Sequence, residues 1–356
     1  MLSSFSLYIL FFLNFTLSLL ALHFLVKLSF DSKLLKQKVA NRQGHRWGNS
    51  FKSHLGGFSL SLNIIFTNIF LFFFSNEFYI LHLNTIFYPS IIILLSGFFG
   101  FIDERYNLKS FYKLIIQIFI GILFIINDMV IDFSSIHTVN YLFTIFFIIF
   151  FFNMINMFDN IDLGLSSISV VAAIFFLVNN IDNSSITVLS IIILSFLLPF
   201  MYFNKFPSKI FMGDIGSFQL SSIFIWLIFM IYFYDYTFDG YVGSFYISTI
   251  SLIIFSIPIF DFFLVISYRI YKKKNIYVGD TNHLSHLINL RIKNPNKVSI
   301  IYLVATFLLC IISYYFDFFA LSRSVEFSLI SLWSLLFILF IIFIFGYIHL
   351  LKNNNK

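Results

Sequence analysis

Long apolar runs separated by short polar segments extend along almost the whole chain. A helix of about 20 apolar residues is long enough to cross a bilayer, and the pattern predicts about eleven such spans. They cover residues 4–26, 57–75, 79–101, 111–127, 139–158, 163–180, 184–203, 212–233, 243–267, 298–317 and 325–350. Because the first run is too long for the core of a signal peptide, it is interpreted as a membrane helix. We therefore expect an all-α integral membrane protein.

The basic residues predict the orientation of these spans. If the N-terminus lies outside and the C-terminus lies in the cytoplasm, all of the 22 Lys and Arg residues except Arg323 fall on the inner side. Cytoplasmic loops carry an excess of Lys and Arg, and one miscounted span would scramble this distribution. The chain is interpreted as a single polytopic domain, 1–356, with cytoplasmic loops at about 27–56 and 268–297. The net charge of +6 then reflects membrane topology and not a nucleic-acid surface.

The composition argues against a soluble domain, and the cysteine content against sites built from cysteines. Hydrophobic residues make up 60% of the chain and charged residues only 11%, whereas a soluble domain contains about 25% charged residues. The single cysteine, Cys310, lies in an apolar run. This excludes a disulfide framework and a thiolate metal site.

Half of the 16 acidic residues fall at inner helix ends or in inner loops. They come from distant parts of the chain, so they can converge on one cytoplasmic face if the helices form a bundle. These residues are Asp31, Asp103, Glu104, Asp159, Asp162, Asp214, Asp261 and Asp280.

Two polar clusters end apolar spans. In "GFFGFIDERYNLKS", Asp103 and Glu104 end the third span, and an ordinary helix end in water is the alternative interpretation. In "FFFNMINMFDNIDLGLSS", the residues at 153, 156 and 159 share one helix face. Amides and carboxylates in hydrocarbon usually face a bundle interior or a wet cavity. Asp162 joins this face only if the helix turns near Asn160, and the alternative is a C-cap with Asn160 in the left-handed conformation.

Two more clusters lie further along the chain. In "FMGDIGS", Asp214 sits between two glycines, so either a metal or phosphate site or a simple N-cap by Asp214 or Ser217 fits the pattern. In "GDTNHLSHLI", His283 and His286 share a face if the segment is helical. The alternative is an interfacial amphipathic helix with a leucine stripe.

Carboxylates beside histidines and basic residues at a membrane surface suit a hard cation and phosphates. Mg²⁺ takes oxygen ligands, often one or two carboxylates together with substrate phosphate oxygens. Phosphoryl transfer depends mainly on positioning and charge neutralisation. We therefore expect a phosphotransfer cleft on the inner face, open both to the cytoplasm and to the bilayer.

The same segments resemble a known enzyme family when they are taken in order. "GFFGFIDE" is similar to a Gly-rich Asp-Asp motif, and "NMINMFDNIDLGL" to an Asn-x-x-Asn-x-x-Asp-Gly-x-Asp-Gly motif. "FMGDIGS" closely resembles a Phe-Met-Gly-Asp-x-Gly-Ser motif. "PIFDFFLVISYRI…GDTNHLSHL" resembles a late Asp…Arg…His-x-x-His segment, and "NRQGHR…HLGG" loosely resembles an Arg-Lys-x-His…Gly-Gly loop. The set resembles the polyprenyl-phosphate N-acetylhexosamine-1-phosphate transferases of glycosyltransferase family 4.

The resemblance implies a reaction and a setting. A UDP-sugar and polyprenyl (undecaprenyl) phosphate would give polyprenyl-diphosphate-sugar and UMP, with Mg²⁺ or Mn²⁺ as the cofactor. This would be the first membrane step of a cell-envelope glycan such as O-antigen or teichoic acid, in the bacterial cytoplasmic (inner) membrane with the active site facing the cytoplasm. The donor would be a UDP-N-acetyl sugar, and a homodimer is compatible with the sequence.

The resemblance also implies roles for individual residues. The catalytic residues would be Asp103, Glu104, Asp159, Asp162 and Asp214, of which Asp214 and Asp159 would hold the metal. Asp103 would act as general base or would orient the lipid phosphate. The substrate-binding residues would be Asn153, Asn156, His283, His286 and Arg269.

The chain departs from the family pattern at several places. Glu104 replaces the usual second Asp, while Asn160 and Leu163 stand where Gly is usual. The sequence "HLSH" differs from the three-histidine run of the muramoyl-pentapeptide enzymes, which favours the O-antigen or teichoic-acid branch.

Two other functional classes remain open from the sequence. A polytopic transporter would place ionisable groups near mid-span and show repeat symmetry, whereas here these groups lie at the inner ends. A scaffold protein would not need ordered acidic motifs. Direct attack by the lipid phosphate and an acyl-phosphate intermediate on an Asp are both compatible with the residues.

Overall fold

The computed structural model describes residues 4–31, 52–74, 83–132, 134–234, 253–274 and 282–320. These residues are helical apart from short connections and an isolated parallel bridge between Ser53 and Ile210. The helices are α1 Ser4–Asp31, α2 Gly57–Phe74, α3 Tyr88–Tyr106, α4 Ser110–Ile126, α5 His137–Phe158, α6 Gly164–Asn179, α7 Ser184–Asn204, α8 Gly213–Tyr234, α9 Ser256–Tyr271, α10 Leu284–Ile292 and α11 Pro295–Ala320. A π-helical turn, Leu83–Phe87, precedes α3. The predicted all-α class is confirmed for these residues.

Seven helices in the described part of the chain are long and apolar enough to cross a membrane. They are α1, α2, α3, α5, α7, α8 and α11, while α4 and α6 are shorter apolar helices. The predicted span at 325–350 and the first part of the span at 243–267 lie outside the described residues. The count of eleven spans, the orientation and the single-domain organisation therefore stay predictions.

Helix α8 lies at the centre of the bundle. In the most apolar stretch of α8, 94% of the residues are buried, whereas in that of α1 only 22% are buried. The buried interior is rich in aromatic rings, and Trp226 of α8 packs 5.5 Å from Phe124 of α4. The outer faces of α1 and α2 expose large apolar side chains such as Phe12 and Phe73, as expected of surfaces that contact lipid.

Buried polar side chains join α1, α2 and α7. The Asn14 amide donates to Thr67 Oγ1 at 2.8 Å, and Ser18 Oγ donates to Asn63 Oδ1 at 3.0 Å. The Asn63 amide in turn donates to Ser195 Oγ at 3.2 Å. Small and polar residues of this kind hold membrane helices together where the hydrophobic effect between helices is absent.

Helix α3 approaches the first turn of α8 at Gly100. A Cβ atom at this residue would lie 2.3 Å from the Asp214 carbonyl oxygen, so only glycine fits. Gly213, which begins α8, has φ +72°, a conformation that other residues rarely adopt. These two glycines bring the C-terminal end of α3 and the first carboxylate of α8 together.

We predict that Gly100→Ala destabilises the protein, because the new methyl group collides with backbone that cannot move aside. Overpacking of a tight contact costs about 1–3 kcal/mol. The free energy of unfolding in detergent should fall accordingly. The matched control is Gly121→Ala in α4, where the nearest atom to a new Cβ would be Cγ1 of the Ile145 side chain at 3.3 Å. Equal losses in the two variants would contradict the close-contact argument.

Candidate functional site

The connection before α8 is held against the segment that precedes α2. The Phe211 amide donates to the Ser53 carbonyl at 2.8 Å, and the amides of Gly56 and Gly57 donate to the carbonyls of Phe211 and Met212, both at 3.0 Å. This pairing fixes the backbone that leads into α8. It also places His54 beside the start of that helix.

Asp214 is the meeting point of three helices. The Asn156 amide of α5 donates to Asp214 Oδ1 at 2.9 Å and to Ser217 Oγ at 3.0 Å. Glu104 of α3 accepts the backbone N–H of Asp214 at 3.0 Å through Oε2. The other oxygen of Glu104, Oε1, lies 3.3 Å from His54 Nδ1. Motifs from α3, α5 and α8 therefore converge as the sequence predicted.

Asp103 lies beside Asp214 and is buried. The two carboxyl groups are close enough for a direct electrostatic interaction. Lys113 of α4 places Nζ 2.5 Å from Asp103 Oδ2, and the Leu108 N–H donates to Oδ1 at 3.2 Å. Asp214 is only partly buried, but two carboxylates this close repel each other when both are charged, and a neighbouring cation offsets the repulsion. Lys113 supplies one such positive charge.

The polar face of α5 is shared between two neighbours. The Asn153 amide donates to Gln117 Oε1 of α4 at 3.0 Å and to the Ile149 carbonyl at 2.7 Å. Asn156, one turn further on, donates to Asp214 of α8. Asp159 caps the end of α5 and is partly buried. Two members of the predicted face thus contact neighbouring helices, Asn153 on α4 and Asn156 on α8.

The turn after α5 places Asp162 against two other segments. Asp162 Oδ2 accepts the Ser208 N–H at 3.2 Å, and its carbonyl accepts from Ser299 Oγ at 2.8 Å. These contacts tie the turn to the 205–210 connection and to α11. A catalytic role for Asp162 stays a prediction.

The alternative with Asn160 in the left-handed conformation is wrong. The residue with positive φ in this turn is Leu163, at φ 62°. Its N–H donates to Asn204 Oδ1 at 2.8 Å, which holds a conformation that costs a leucine energy. This is the position where the family pattern has Gly, so the unusual residue keeps the turn.

Asp261 of α9 holds His283. Asp261 Oδ2 lies 2.7 Å from His283 Nδ1, and Oδ1 accepts the Leu284 N–H at 2.6 Å. All of Asp261, His283 and His286 are buried, and the two imidazole rings lie 6.1 Å apart. Arg269 is also buried, on the last turn of α9.

Helix α10 buries its polar face, while Leu284 and Leu287 are only partly buried. Ser285, His286 and Asn289 are buried, whereas Leu290 is 63% exposed. The interfacial amphipathic helix considered from the sequence, with its leucines turned to the membrane, stays a prediction. The polar face is held against the protein, since Ser285 Oγ donates to Asn160 Oδ1. The histidine motif is thereby joined to the end of α5.

Further side chains in the described part of the chain contact the predicted site residues, among them His54, Lys113, Gln117 and Asp261. From the sequence, Lys113 is assigned only to the positive charge of an inner loop. His54 and Asp261 lie in motif segments, but the sequence assigns them no role. A signal for two of them exists, since Lys113 and Gln117 share one face of an otherwise apolar helix.

The side chains around Asp214 that could bind a cation are mainly carboxylates and amides. Within the described ranges, no group of three or more His, Cys, Asp or Glu residues is arranged to hold a metal ion. A cation that takes one or two carboxylates and completes its shell from substrate does not need such a group. Asp214 and Asp103 provide two adjacent carboxylates of this kind.

The middle of the chain is similar to proteins of a known family. Residues 86–233 match the glycosyl transferase family 4 model. The resemblance inferred from the sequence motifs is therefore confirmed. The matched family 4 segment contains Asp103, Asp214 and the polar residues of α5, whereas His54, Asp261 and the histidines of α10 lie outside it.

Similar proteins carry names of sugar-phosphate transferases. A probable undecaprenyl-phosphate N-acetylglucosaminyl 1-phosphate transferase of Bacillus subtilis is 28% identical over 222 residues, covering 58% of this chain and 59% of the relative. A phospho-N-acetylmuramoyl-pentapeptide-transferase of Streptococcus thermophilus is 35% identical over 37% of this chain and 45% of the relative. One of Dictyoglomus turgidum is 30% identical over 38% and 49%. The chain thus spans only about half the length of these relatives.

We predict that Asp261→Ala destabilises the arrangement of α9 and α10 next to the family 4 segment. The substitution leaves the Leu284 N–H and His283 Nδ1 without their acceptor, and an unsatisfied buried polar group costs about 1–3 kcal/mol. Asp261→Asn keeps an acceptor for the Leu284 N–H, so its loss should be smaller. Thermal unfolding in detergent measures both.

The control for this comparison is Asp182→Ala, since Asp182 is exposed in the turn between α6 and α7. Its effect should stay within about 0.5 kcal/mol. If Asp261→Ala were as mild as the control, Asp261 would not hold α10 in place.

Proposed function

We propose that the chain transfers a sugar-1-phosphate from a UDP-N-acetyl sugar to polyprenyl phosphate and releases UMP. An oxygen of the lipid phosphate forms a bond to the phosphorus that carries the sugar. The bond from this phosphorus to the bridging oxygen breaks, and UMP leaves with the electron pair. The product is a polyprenyl-diphosphate-sugar.

The observation that carries this proposal is the junction at Asp214. Carboxylates of α3 and α8, the Asn156 amide of α5 and the Lys113 ammonium group lie together inside the family 4 segment. Such a set can bind and orient phosphates, which is most of what phosphoryl transfer asks of a protein. The names of the relatives support the same chemistry.

Asp103 and Lys113 would act on the lipid phosphate. A phosphate monoester has a second pKa of about 6, so it is largely dianionic at pH 7 and hardly needs a base. The ion pair is better suited to orientation, with Lys113 attracting the phosphate and Asp103 setting the direction of the ammonium group. Asp103 as general base remains the alternative role.

The residues present fit a Mg²⁺ ion. Asp214 is one ligand in this proposal, and Asp159 at the end of α5 is the second ligand that the motif resemblance implies. Asp103, the carboxylate adjacent to Asp214, faces the lipid phosphate in the same proposal. The bound ion would neutralise charge on the diphosphate. Asn156, which already donates to Asp214, would fix the orientation of that carboxylate.

His283, His286 and Arg269 would contact the diphosphate or the sugar. Their burial and the Ser285–Asn160 hydrogen bond bring α10 next to the end of α5. Asp261 would hold the His283 ring by accepting from Nδ1, which leaves Nε2 for substrate. The inner-membrane location, the cytoplasmic orientation and an O-antigen or teichoic-acid pathway are parts of the same proposal.

The test uses purified protein in detergent with MgCl₂, undecaprenyl phosphate and a panel of UDP-N-acetyl sugars. We expect UMP release and a lipid-linked product with one sugar, abolished by EDTA and restored by added Mg²⁺. Asp214→Asn should lower the rate at least about hundredfold, the size of effect seen when one preorganised charge-stabilising group is lost.

Asp182→Asn serves as the matched control, because it makes the same chemical change at an exposed turn. It should keep the wild-type rate. Wild-type activity in Asp214→Asn, or no UMP release by folded protein across the panel, would overturn the proposal. Movement of a solute across sealed vesicles without UMP release would favour the transporter alternative.

A further inference from the structure

Glu104 connects three separate parts of the chain. It lies in the last turn of α3, its Oε2 accepts the Asp214 N–H of α8 at 3.0 Å, and its Oε1 lies 3.3 Å from Nδ1 of His54. Its side chain is almost fully buried. Both carboxylate oxygens are therefore already engaged with protein groups.

The partner on each side is itself held in place. The His54 ring packs edge-on against Phe211 at 5.1 Å, and the backbone around it is paired with 211 and 212. The carbonyl of His54 lies so close to Gly213 that a Cβ there would come within 2.1 Å of it. His54 and Glu104 thus contact the turn into α8 from two sides.

The Asp214 N–H is one of the first amides of α8. These amides have no partner within their own helix and need an acceptor from elsewhere. An acidic group at a helix N-terminus also interacts favourably with the helix dipole. Glu104 provides this acceptor from α3, which fixes the backbone of Asp214 and hence the direction of its carboxylate.

The length of the side chain matters for this bridge. Aspartate, which the resembled motif has at this position, is shorter by one methylene, or about 1.5 Å. It cannot reach both the Asp214 N–H and His54 from the same backbone. Glutamine has the length of glutamate, can accept from the Asp214 N–H through its oxygen and can donate to a neutral His54 through its nitrogen.

We infer that Glu104 and His54 are positioning residues that hold the start of α8 and the Asp214 carboxylate, and that Glu104 is neither a metal ligand nor a base. The kinetic tests of this inference rest on the proposed function, because they measure the rate of the proposed transfer. It replaces the catalytic role expected for Glu104 from the motif. It also gives a role to His54, which lies outside the family 4 segment.

The test compares length with charge at position 104. Glu104→Gln keeps the length and loses the charge, whereas Glu104→Asp keeps the charge and loses the length. A positioning role predicts that Glu104→Gln keeps its kcat within about threefold, while Glu104→Asp loses at least about tenfold, since displacement of a reacting group by about 1 Å is that costly. A metal ligand or base predicts the reverse order. The half-saturating Mg²⁺ concentration should be unchanged in Glu104→Gln.

His54 provides the second arm. His54→Asn places an amide nitrogen where Nδ1 was, so it can still donate to Glu104 and should keep most of the activity, whereas His54→Ala should lose several-fold in kcat. In a Glu104→Ala background the additional effect of His54→Ala should disappear, because its partner is gone. Additive losses in this double variant would overturn the pairing.

Amide hydrogen exchange gives a readout that does not depend on activity. The peptide containing the Asp214 amide should exchange faster in Glu104→Ala and Glu104→Asp than in wild type or Glu104→Gln. Equal exchange in all four proteins would overturn the inference. If wild type released no UMP but the exchange order held, the proposed function would fail while the positioning role would stand.

Discussion

The close approach of α3 to the first turn of α8 is the contact on which the rest of the site depends. At Gly100 the two backbones are so near that no side chain fits between them. Because of this contact, Asp103 and Glu104 of α3 reach Asp214 of α8. Because α8 is central and buried, the Asp214 carboxylate at its start contacts residues of the surrounding helices.

The end of α5 connects the residues around Asp214 with the histidine-bearing helix α10. Asn156 reaches Asp214 on one side, and four residues later Asn160 accepts from Ser285 of α10. A long apolar helix that ends in amides and carboxylates is costly unless these groups have partners. Here their partners are the motif residues of other helices, so satisfying the polar groups and assembling the site are the same process.

The buried carboxylates in this region are each paired with a basic side chain or a hydrogen-bond donor. Lys113 faces Asp103, and Asp261 accepts from both His283 and the Leu284 amide. A buried carboxylate is tolerated when it is paired and hydrogen-bonded. The same pairs restrict the side chains to single orientations, which the proposed phosphate site requires. The polar face of α10 is buried against the protein through contacts of the same kind.

The sequence by itself determined the helical class, the ends of most described helices and the convergence of the acidic motifs, because apolar length and helical spacing are local properties. It did not determine that Leu163 takes the left-handed conformation, that α10 turns its polar face inward or that His54 and Lys113 join the site. Those features depend on which backbones approach closely and which buried polar atoms find partners. Contacts of this kind, between residues far apart in the chain, are decided only when the helices pack.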